Sequence, residues 1–311
     1  MSTLFLSTDL EHLAGTLEAE LSSEEAQGRC GFLPATIIVP NRNLQSWLQL
    51  FLARKQGLAI NLEFKFLESA LWDIFKDLAP RENAVTPEIL DHERYRLLLV
   101  SILLRQPERG DELAPLREYL GATKSSREHN RRVWELADTL ARLIRDYEYH
   151  RQEELIQKWL KGKDAWPRAS QPDIALERCQ RALFHSITNE TSGLRARLGA
   201  TTGTPFKTLP QYANEVMTAT RPKSEWPSEL TGRAIHFFGI SQISAYHTHL
   251  LSWLGERLDL RLYHLNPLVG RSPESQKSEL LSVWGSAAAE SLKLLVGMNS
   301  ANRSTPTVSY T

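Results

Sequence analysis

The chain has 311 residues, enough for one large domain or two of ordinary size, and 41% of them are hydrophobic, which suffices for a substantial core. Its 37 lysines and arginines balance 37 aspartates and glutamates, so the formal net charge is zero and any contact with nucleic acid must come from a local patch. Cys30 and Cys179 have no metal-ligand spacing and are typical of a reducing compartment. The sequence contains neither a signal peptide nor a membrane span, which predicts a cytoplasmic protein without membrane contact.

The N-terminus is predicted to be a strand followed by a helix. Thr3 to Ser7 is a short apolar run, and Asp9 caps a predicted helix whose leucines recur every three or four residues. The loop between them, Ser7-Thr8-Asp9, contains no glycine and no Gly-Lys-Ser/Thr sequence. A phosphate cradle needs glycines for its backbone geometry and a lysine for the β- and γ-phosphates. The sequence therefore argues against an ATP site of that type.

A second strand and helix follow, and then the pair repeats. Thr36 to Val39 is β-branched and ends at Pro40, as a buried strand should. The next helix has apolar residues at helical spacing, with Asn43 as the predicted N-cap and Gly57 as the C-cap. A strand over Ile60 to Phe66 and an amphipathic helix from Leu67 come next. Strand and helix in alternation predict an α/β domain with a parallel sheet.

Helical periodicity then dominates from about residue 82 to residue 220. Helices are predicted at Tyr95–Leu104, Leu113–Leu120, Glu128–Trp159, Ile174–Ile187 and Gln211–Met217, and Thr191 to Pro210 is predicted to be a loop. The sheet resumes with strands at Arg233–Ser241 and Leu260–Leu265, separated by a helix at Tyr246–Leu258, and a last helix is predicted from Leu280 to Val296. We therefore predict an α/β domain formed by residues 1–80 and 225–300, an all-helical domain inserted at 82–220, and a tail at 300–311 without a closing element, as in a truncated chain.

The predicted helix from Glu128 to Trp159 has an arginine row beside its apolar face. The row contains Arg127, Arg131, Arg142 and Arg145, with Arg151 just beyond. Guanidinium groups at this pitch could follow a phosphate backbone. The alternative is an ordinary solvated face, because Glu128, Glu135 and Asp138 dilute the positive charge.

Histidines and tryptophans add little chemistry of their own. His236 and His264 lie in predicted buried strands, and His247 and His249 point in different directions on a helix, so structural roles are favoured over a metal site. Most tryptophans, Trp134 among them, fall at core spacing, whereas Trp72 could stack on an unpaired base. Neither a nuclease carboxylate pattern nor a nucleophile with its base is recognisable, so no catalytic residues are predicted.

Three segments resemble the N-terminal part of the exodeoxyribonuclease V gamma chain (RecC) family. They are Val39-Pro-Asn-Arg-Asn-Leu-Gln-Ser-Trp-Leu-Gln49 with Gly57-Leu-Ala-Ile-Asn61, the run from Phe66 through Trp72-Asp73 to Phe75, and Phe238-Gly-Ile-Ser241 with the later Asn266-Pro267. The resemblance covers nearly the whole chain in the same order. Known members are several times longer, so it implies the N-terminal third or so of such a protein.

The resemblance implies a superfamily 1 helicase-like fold that has lost its phosphate loop, in which an α/β domain (1A) is interrupted by a helical domain (1B). Phe237-Phe-Gly-Ile240 stands where a working helicase would end its strand in Asp-Glu for magnesium. In the family this chain is non-catalytic, and ATP and magnesium belong to partner subunits of the RecB and RecD kinds. It binds duplex ends, splits the strands and scans the 3′ strand for a recombination hotspot.

The resemblance also implies the DNA-contacting positions. They are Arg42, Ser46, Phe66, Trp72, Arg142, Arg145 and Arg151. The arginines would hold phosphates or guanine edges, Ser46 a base, and the aromatic rings would stack. Pro40, Arg42 and Ser46 differ in type from the small polar or amide residues of the best-known members, which implies a different hotspot or none. Two alternatives stay open: an active helicase with an unusual phosphate loop, and a scaffold whose arginine row contacts an acidic protein.

Overall fold

The computed structural model describes residues 2–26, 33–80, 85–105, 111–121, 126–240, 243–266, 289–295 and 308–310. Its contacts divide the chain into two compact units: unit 1 is formed by residues 1–80 with 215–311, and unit 2 by residues 81–214. Cys30 and most of the last predicted helix, Leu280 to Val296, lie outside the described residues, although residues 289–295 are helical.

The elements are numbered in chain order. The strands are β1 (Ser2–Ser7), β2 (Ala35–Val39), β3 (Leu62–Phe66), β4 (Glu88–Ile89), β5 (Phe206–Lys207), β6 (Ile235–Phe238), β7 (Leu260–Leu265) and β8 (Val308–Tyr310). The α-helices are α1 (Leu10–Ala26), α2 (Arg42–Gln56), α3 (Leu67–Leu78), α4 (His92–Leu104), α5 (Ala114–Gly121), α6 (Ser126–His150), α7 (Gln157–Leu160), α8 (Gln171–Thr188), α9 (Leu194–Thr202), α10 (Leu209–Thr218), α11 (Ser228–Thr231) and α12 (Ala245–Gly255).

Unit 1 is built on a parallel sheet with the strand order β3-β2-β6-β7-β1-β8. Each neighbouring pair runs parallel, so the carboxyl ends of all these strands lie along one edge of the sheet. This confirms the predicted α/β class with a parallel sheet. The tail was predicted to hold no closing element, and that is wrong: β8 pairs with β1 through Leu4 and Val308.

The helices of unit 1 begin and end at residues with clear capping roles. Asp9 Oδ1 accepts a hydrogen bond from Glu11 N (2.8 Å) at the start of α1. At α2 the N-cap is Asn41, whose Oδ1 accepts from Leu44 N at 2.9 Å, so the prediction of Asn43 was wrong by two residues. Gly57 does end α2, with a left-handed φ of 76°.

The core of unit 1 lies between the sheet and the helices that cross it. Leucines at helical spacing in α1 and α2 pack on alternating side chains of the central strands, which is the pattern that the sequence predicted. The most buried members on this side are Leu13, Leu17, Leu48, Leu52, Ile37 and Phe238. On α3 the buried residues include Trp72, at 8% exposure, and Phe75, which stacks on Trp253 with 5.8 Å between ring centroids.

A buried charge cluster ties α1 to β6 and β7. Glu24, 2% exposed, lies 3.3 Å from Arg233 Nε and 3.3 Å from Arg261 Nη1, and it faces His236 Nε2 at 3.6 Å. Burial acts to raise the pKa of Glu24, but the facing His236 and the charges of Arg261 and Arg233 outweigh it and hold the pKa below its usual value. Burial lowers the pKa of His236, which Glu24 only partly offsets, so the ring is neutral at pH 7.

Unit 2 is mainly helical, with α4 packed along α6 and against α8, and its core contains the fully buried Trp159. It is not all-helical, contrary to the prediction, because β4 and β5 form a small parallel pair. The predicted loop at Thr191–Pro210 was also wrong, since it contains α9 and β5. The long helix predicted from Glu128 to Trp159 is broken: α6 ends at His150, and a π-helical segment, Gln152–Ile156, precedes α7.

Glu177 of α8 holds the loop between α7 and α8 in place. Its carboxylate is 5% exposed and accepts hydrogen bonds from Trp159 Nε1 (3.2 Å), Ala165 N (2.5 Å) and Trp166 N (3.2 Å). On the outside of the same loop, Asp164 binds Arg178 at 2.7 Å. The carboxylate of Glu177 thereby accepts hydrogen bonds from a buried indole and two backbone amides.

Candidate nucleic-acid interface

The carboxyl edge of the parallel sheet is where a site is expected in unit 1. The connection after β2 runs through α2 outward to β3, whereas the connection after β6 runs through α12 the other way, to β7. Neighbouring strands whose connections diverge in this way form a topological switch point, and ligands of open α/β sheets bind there. The first turn of α2 and the turn after β6 therefore border the candidate site.

The switch point itself is filled by an apolar contact. Gly239, directly after β6, has a left-handed φ of 70°, and a Cβ built on it would lie 2.4 Å from Leu44 Cδ2. The glycine thus allows Leu44 of α2 to pack against the turn. His264 Nδ1 donates to Ile240 O (2.9 Å) beside this turn and fixes the backbone. Among the described residues, the side chain of Leu44 occupies the space beside the end of β6.

In the loop after β1, the Asp9 side chain pairs with amides at the start of α1 that a phosphate would need. Asp9 Oδ1 accepts from Glu11 N and, at 3.4 Å, from His12 N, so a carboxylate already occupies the free amides at the start of α1. Ser7 Oγ accepts from Asp9 N at 3.0 Å, and Asn266 N donates to Ser7 O at 2.9 Å. A helix N-terminus attracts phosphate through these same amides. With the negative charge of Asp9 on them, the position disfavours a second anion.

Three of the predicted contact residues do share the carboxyl edge. The register pairs Val39 with Phe66, so the end of β3 lies beside the end of β2, from which α2 begins. Phe66 is 42% exposed there. Arg42 and Ser46, four residues apart, are exposed on the same face of α2. This edge thus presents a guanidinium, a hydroxyl and an aromatic ring.

Trp72 differs from those three residues. It belongs to the buried side of α3 and is only 8% exposed. A ring that stacks on a base must offer one face to solvent. Little of this ring could reach a base, and its surroundings indicate a packing role instead.

The arginine row of α6 is present in unit 2, with carboxylates beside it. Arg142 binds Asp138 at 2.7 Å, Arg131 lies 3.8 Å from Glu135, and Arg151, just past the end of α6, lies 3.1 Å from Glu154. Arg145 is half-buried. The row therefore has features of both alternatives, a phosphate-binding row and an ordinary solvated face. Guanidinium groups line the face, and acidic neighbours neutralise several of them.

Asp138 lies at the centre of a hydrogen-bond network on that face of α6. It accepts from His92 Nε2 (2.9 Å), Arg96 Nη1 (3.4 Å) and Arg142 Nη2 (2.7 Å). The hydrogen bond from His92 is the main reason that the pKa of Asp138 lies below its usual value, with the arginines adding to it. Asp138 thus faces three basic side chains, and Glu93 provides a second carboxylate for Arg96.

Trp134 is exposed, although its spacing in the sequence predicted a position in the core. Trp134 of α6 was predicted to pack in the core, yet it is 45% exposed and lies over the guanidinium of Arg96 at 4.4 Å. The buried residues of α6 are Val133, Ala137, Leu140, Ala141, Ile144 and Glu148, and Trp134 lies at the border of that stripe, where spacing alone does not decide burial. It lies instead among the arginines.

Metal ligation finds no support in the part of the chain that the structure describes. No group of three histidine, cysteine, aspartate or glutamate side chains converges there. His236 is fully buried against Tyr263 OH (3.1 Å), and His247 Nδ1 contacts Ser244 Oγ at 2.8 Å, within the cap of α12. Among the described helices none is long and apolar enough to span a membrane.

The fold and the edge geometry define a parallel α/β protein joined to a mainly helical unit. A family model described as "RecC, N-terminal domain" matches residues 3–306. The chain therefore belongs to the RecC family.

Two relatives of the chain are both named RecBCD enzyme subunit RecC. The protein from Haemophilus influenzae is 26% identical over 243 residues, which is 74% of this chain and 20% of the relative. The protein from Escherichia coli is 25% identical over 247 residues, 76% of this chain and 19% of the relative. The matched part thus spans about one fifth of the length of these relatives.

Proposed function

We propose that this chain is the N-terminal part of a DNA-binding subunit of a RecBCD-type helicase–nuclease, exodeoxyribonuclease V, which acts in double-strand break repair and homologous recombination. The family match over residues 3–306 carries the proposal. The names of the relatives support partners of the RecB and RecD kinds, and the proposed location is the cytoplasm. The subunit binds duplex ends, splits the strands and scans the 3′ strand for a hotspot sequence.

The chain performs no ATP-driven step of its own in this proposal. The support is the loop after β1, where the Asp9 carboxylate takes the helix amides that a phosphate would need. Phe238 and Gly239 stand at the end of β6, where a magnesium-binding carboxylate would be required. ATP and magnesium act in the partner subunits. ATP turnover by the purified chain would favour the rival proposal of a divergent helicase.

DNA contact is assigned to Arg42, Ser46 and Phe66 at the carboxyl edge and to Arg142, Arg145 and Arg151 along and after α6. Among these residues, Arg42 has the strongest support for DNA contact. It is exposed at the first turn of α2, where the helix dipole adds to its positive charge. A phosphate oxygen there meets both a guanidinium and the positive end of a helix. Phe66 supplies the face on which an unpaired base stacks.

The substitution Arg42→Glu is expected to weaken binding of a forked duplex by roughly tenfold, the size of one charge-assisted hydrogen bond. The slope of log affinity against log salt should fall by about one, since one phosphate contact is lost. Fluorescence anisotropy at two salt concentrations measures both. A glutamate in the first turn suits the helix dipole, so a folding defect is not expected.

Arg54→Glu, the same charge reversal in the last turn of α2, is the matched control and should leave affinity nearly unchanged. Equal losses for the two variants would mean that only net charge matters. If Arg42→Glu binds DNA with full affinity and Arg142→Glu binds it more weakly, the DNA contact lies in unit 2 and not at the carboxyl edge. If wild-type protein binds no DNA but binds an acidic partner, the scaffold alternative is correct.

A further inference from the structure

Trp134 lies within the arginine row and on its exposed face. At 3.6 residues per turn, positions 127, 131, 134, 138, 142 and 145 fall within an arc of roughly 80° on α6. From Arg127 to Arg145 this stripe extends about 27 Å along the helix. The buried stripe of the helix occupies other positions, so Trp134 is the aromatic member of an otherwise charged ridge.

The indole ring contacts the guanidinium of Arg96. Arg96 of α4 places its guanidinium 4.4 Å from the ring centroid, and that guanidinium is itself bound by Asp138 (3.4 Å) and by Glu93. The cation–π contact fixes the ring against α4. At 45% exposure, a large part of the residue still faces solvent. A half-exposed indole with a guanidinium against it is suited to stacking on an unpaired base.

Arginines that could contact a polyanion surround the ring, each of them paired with a carboxylate. Asp138, one turn further along α6, is shared by His92, Arg96 and Arg142, so little of its negative charge is left over. The pair of Arg131 and Glu135 is wide (3.8 Å) and exposed. Exposed ion pairs contribute little to stability, so a phosphate can readily displace the carboxylate.

We propose that Trp134 stacks on an unpaired base of single-stranded DNA, with the phosphates on either side held by Arg131 and Arg142. Arg96, indole and base then form a three-layer stack in which the guanidinium polarises the ring. Every base has a π face, so this contact tolerates any sequence and requires only that the strand be unpaired. The inference rests on the proposed DNA-binding function and adds a contact that is independent of the carboxyl edge of unit 1.

The test compares Trp134→Ala and Trp134→Phe in the full chain, with a labelled poly-thymidine strand, an abasic strand of the same length and a blunt duplex. Loss of the ring should weaken binding of the thymidine strand by roughly tenfold, the effect typical of one stacked base. Phe should restore most of the affinity. Neither variant should change binding of the abasic strand or the duplex, because neither offers an unpaired base. Trp166→Ala, which removes another exposed tryptophan (44%) outside α6, is the control.

Three outcomes separate this inference from the proposed function. Equal losses for thymidine and abasic strands, with a lowered melting temperature, would show that Trp134 only supports Arg96 and the packing of α4 on α6. Unchanged affinity for Trp134→Ala, while Arg42→Glu still weakens binding, would overturn the stacking role and leave the proposed function standing. Absence of binding by wild-type protein would contradict the proposed function itself.

Discussion

Replacing Glu24 by Gln is expected to lower the free energy of unfolding of unit 1 by about 3–5 kcal/mol, the usual cost of breaking a buried ion pair from one side. Glu24 is 2% exposed, and Arg233, 6% exposed, meets no other carboxylate among the described residues. An amide of the same size would keep the shape and remove the negative charge. The guanidinium of Arg233 would then be buried without a counter-charge, and its described hydrogen-bond acceptors would be Leu33 O (2.7 Å) and the neutral amide oxygen at position 24.

Urea unfolding followed by circular dichroism measures this loss. Glu25→Gln is the matched control, since Glu25 is the next residue of α1 and is exposed. It should change stability by less than about 0.5 kcal/mol. Arg261 keeps Glu20 and, at 3.6 Å, Asp259, so the loss should come mainly through Arg233. A stability of Glu24→Gln within error of the control would contradict the assignment of a charge cluster to this position.

The second large effect is expected in unit 2, where Glu177→Ala should cost roughly 3 kcal/mol. The substitution leaves the indole N–H of Trp159 and the amide of Ala165 without an acceptor, and each buried donor that loses its partner costs about 1–3 kcal/mol. Trp159 is fully buried and Ala165 is 4% exposed, so water cannot replace the carboxylate at either group. The amide of Trp166 lies in a more exposed residue and should contribute less.

Denaturation monitored by tryptophan fluorescence reports on this site because Trp159 packs at the centre of the core of unit 2. Glu190→Ala, an exposed glutamate just after α8, supplies the control and should leave the transition in place. Asp164 should remain bound to Arg178 and Arg181 in Glu177→Ala, so the loop stays tethered from outside. A variant as stable as the control would mean that the three hydrogen bonds to Glu177 carry no net stability.

The strands and helices of unit 1 were predictable because their sequence signals are local. Thr36 to Val39 is a β-branched run that ends at a proline, and Gly57 adopts the left-handed φ that a helix C-cap requires. Neither depends on distant residues. The cap of α2 was misplaced because Asn41 and Asn43 are chemically identical, and the choice between them is made by the end of β2 at Val39.

The features that were missed depend on contacts between distant segments. The pairing of Glu88 with Phe206 creates β4 and β5, two residues each, which no periodicity can reveal. The end of α6 near Arg151 lacks a glycine or proline to mark it. Trp72 is buried and Trp134 is exposed, opposite to the prediction for each. Burial is decided by which neighbouring elements pack on α3 and on α6, so spacing along one helix does not determine it. Only the structure places Arg96 beneath Trp134.

Hydrogen–deuterium exchange of the whole chain, with and without a forked duplex, tests the central claim most directly. If DNA lies on the carboxyl edge and along α6, the first turns of α2, the end of β3 and the exposed face of α6 should exchange more slowly in the complex. ATP alone should leave the amides of Glu11 and His12 unchanged, because Asp9 already occupies them. Slower exchange confined to other segments, or protection of those two amides by ATP, would contradict the account.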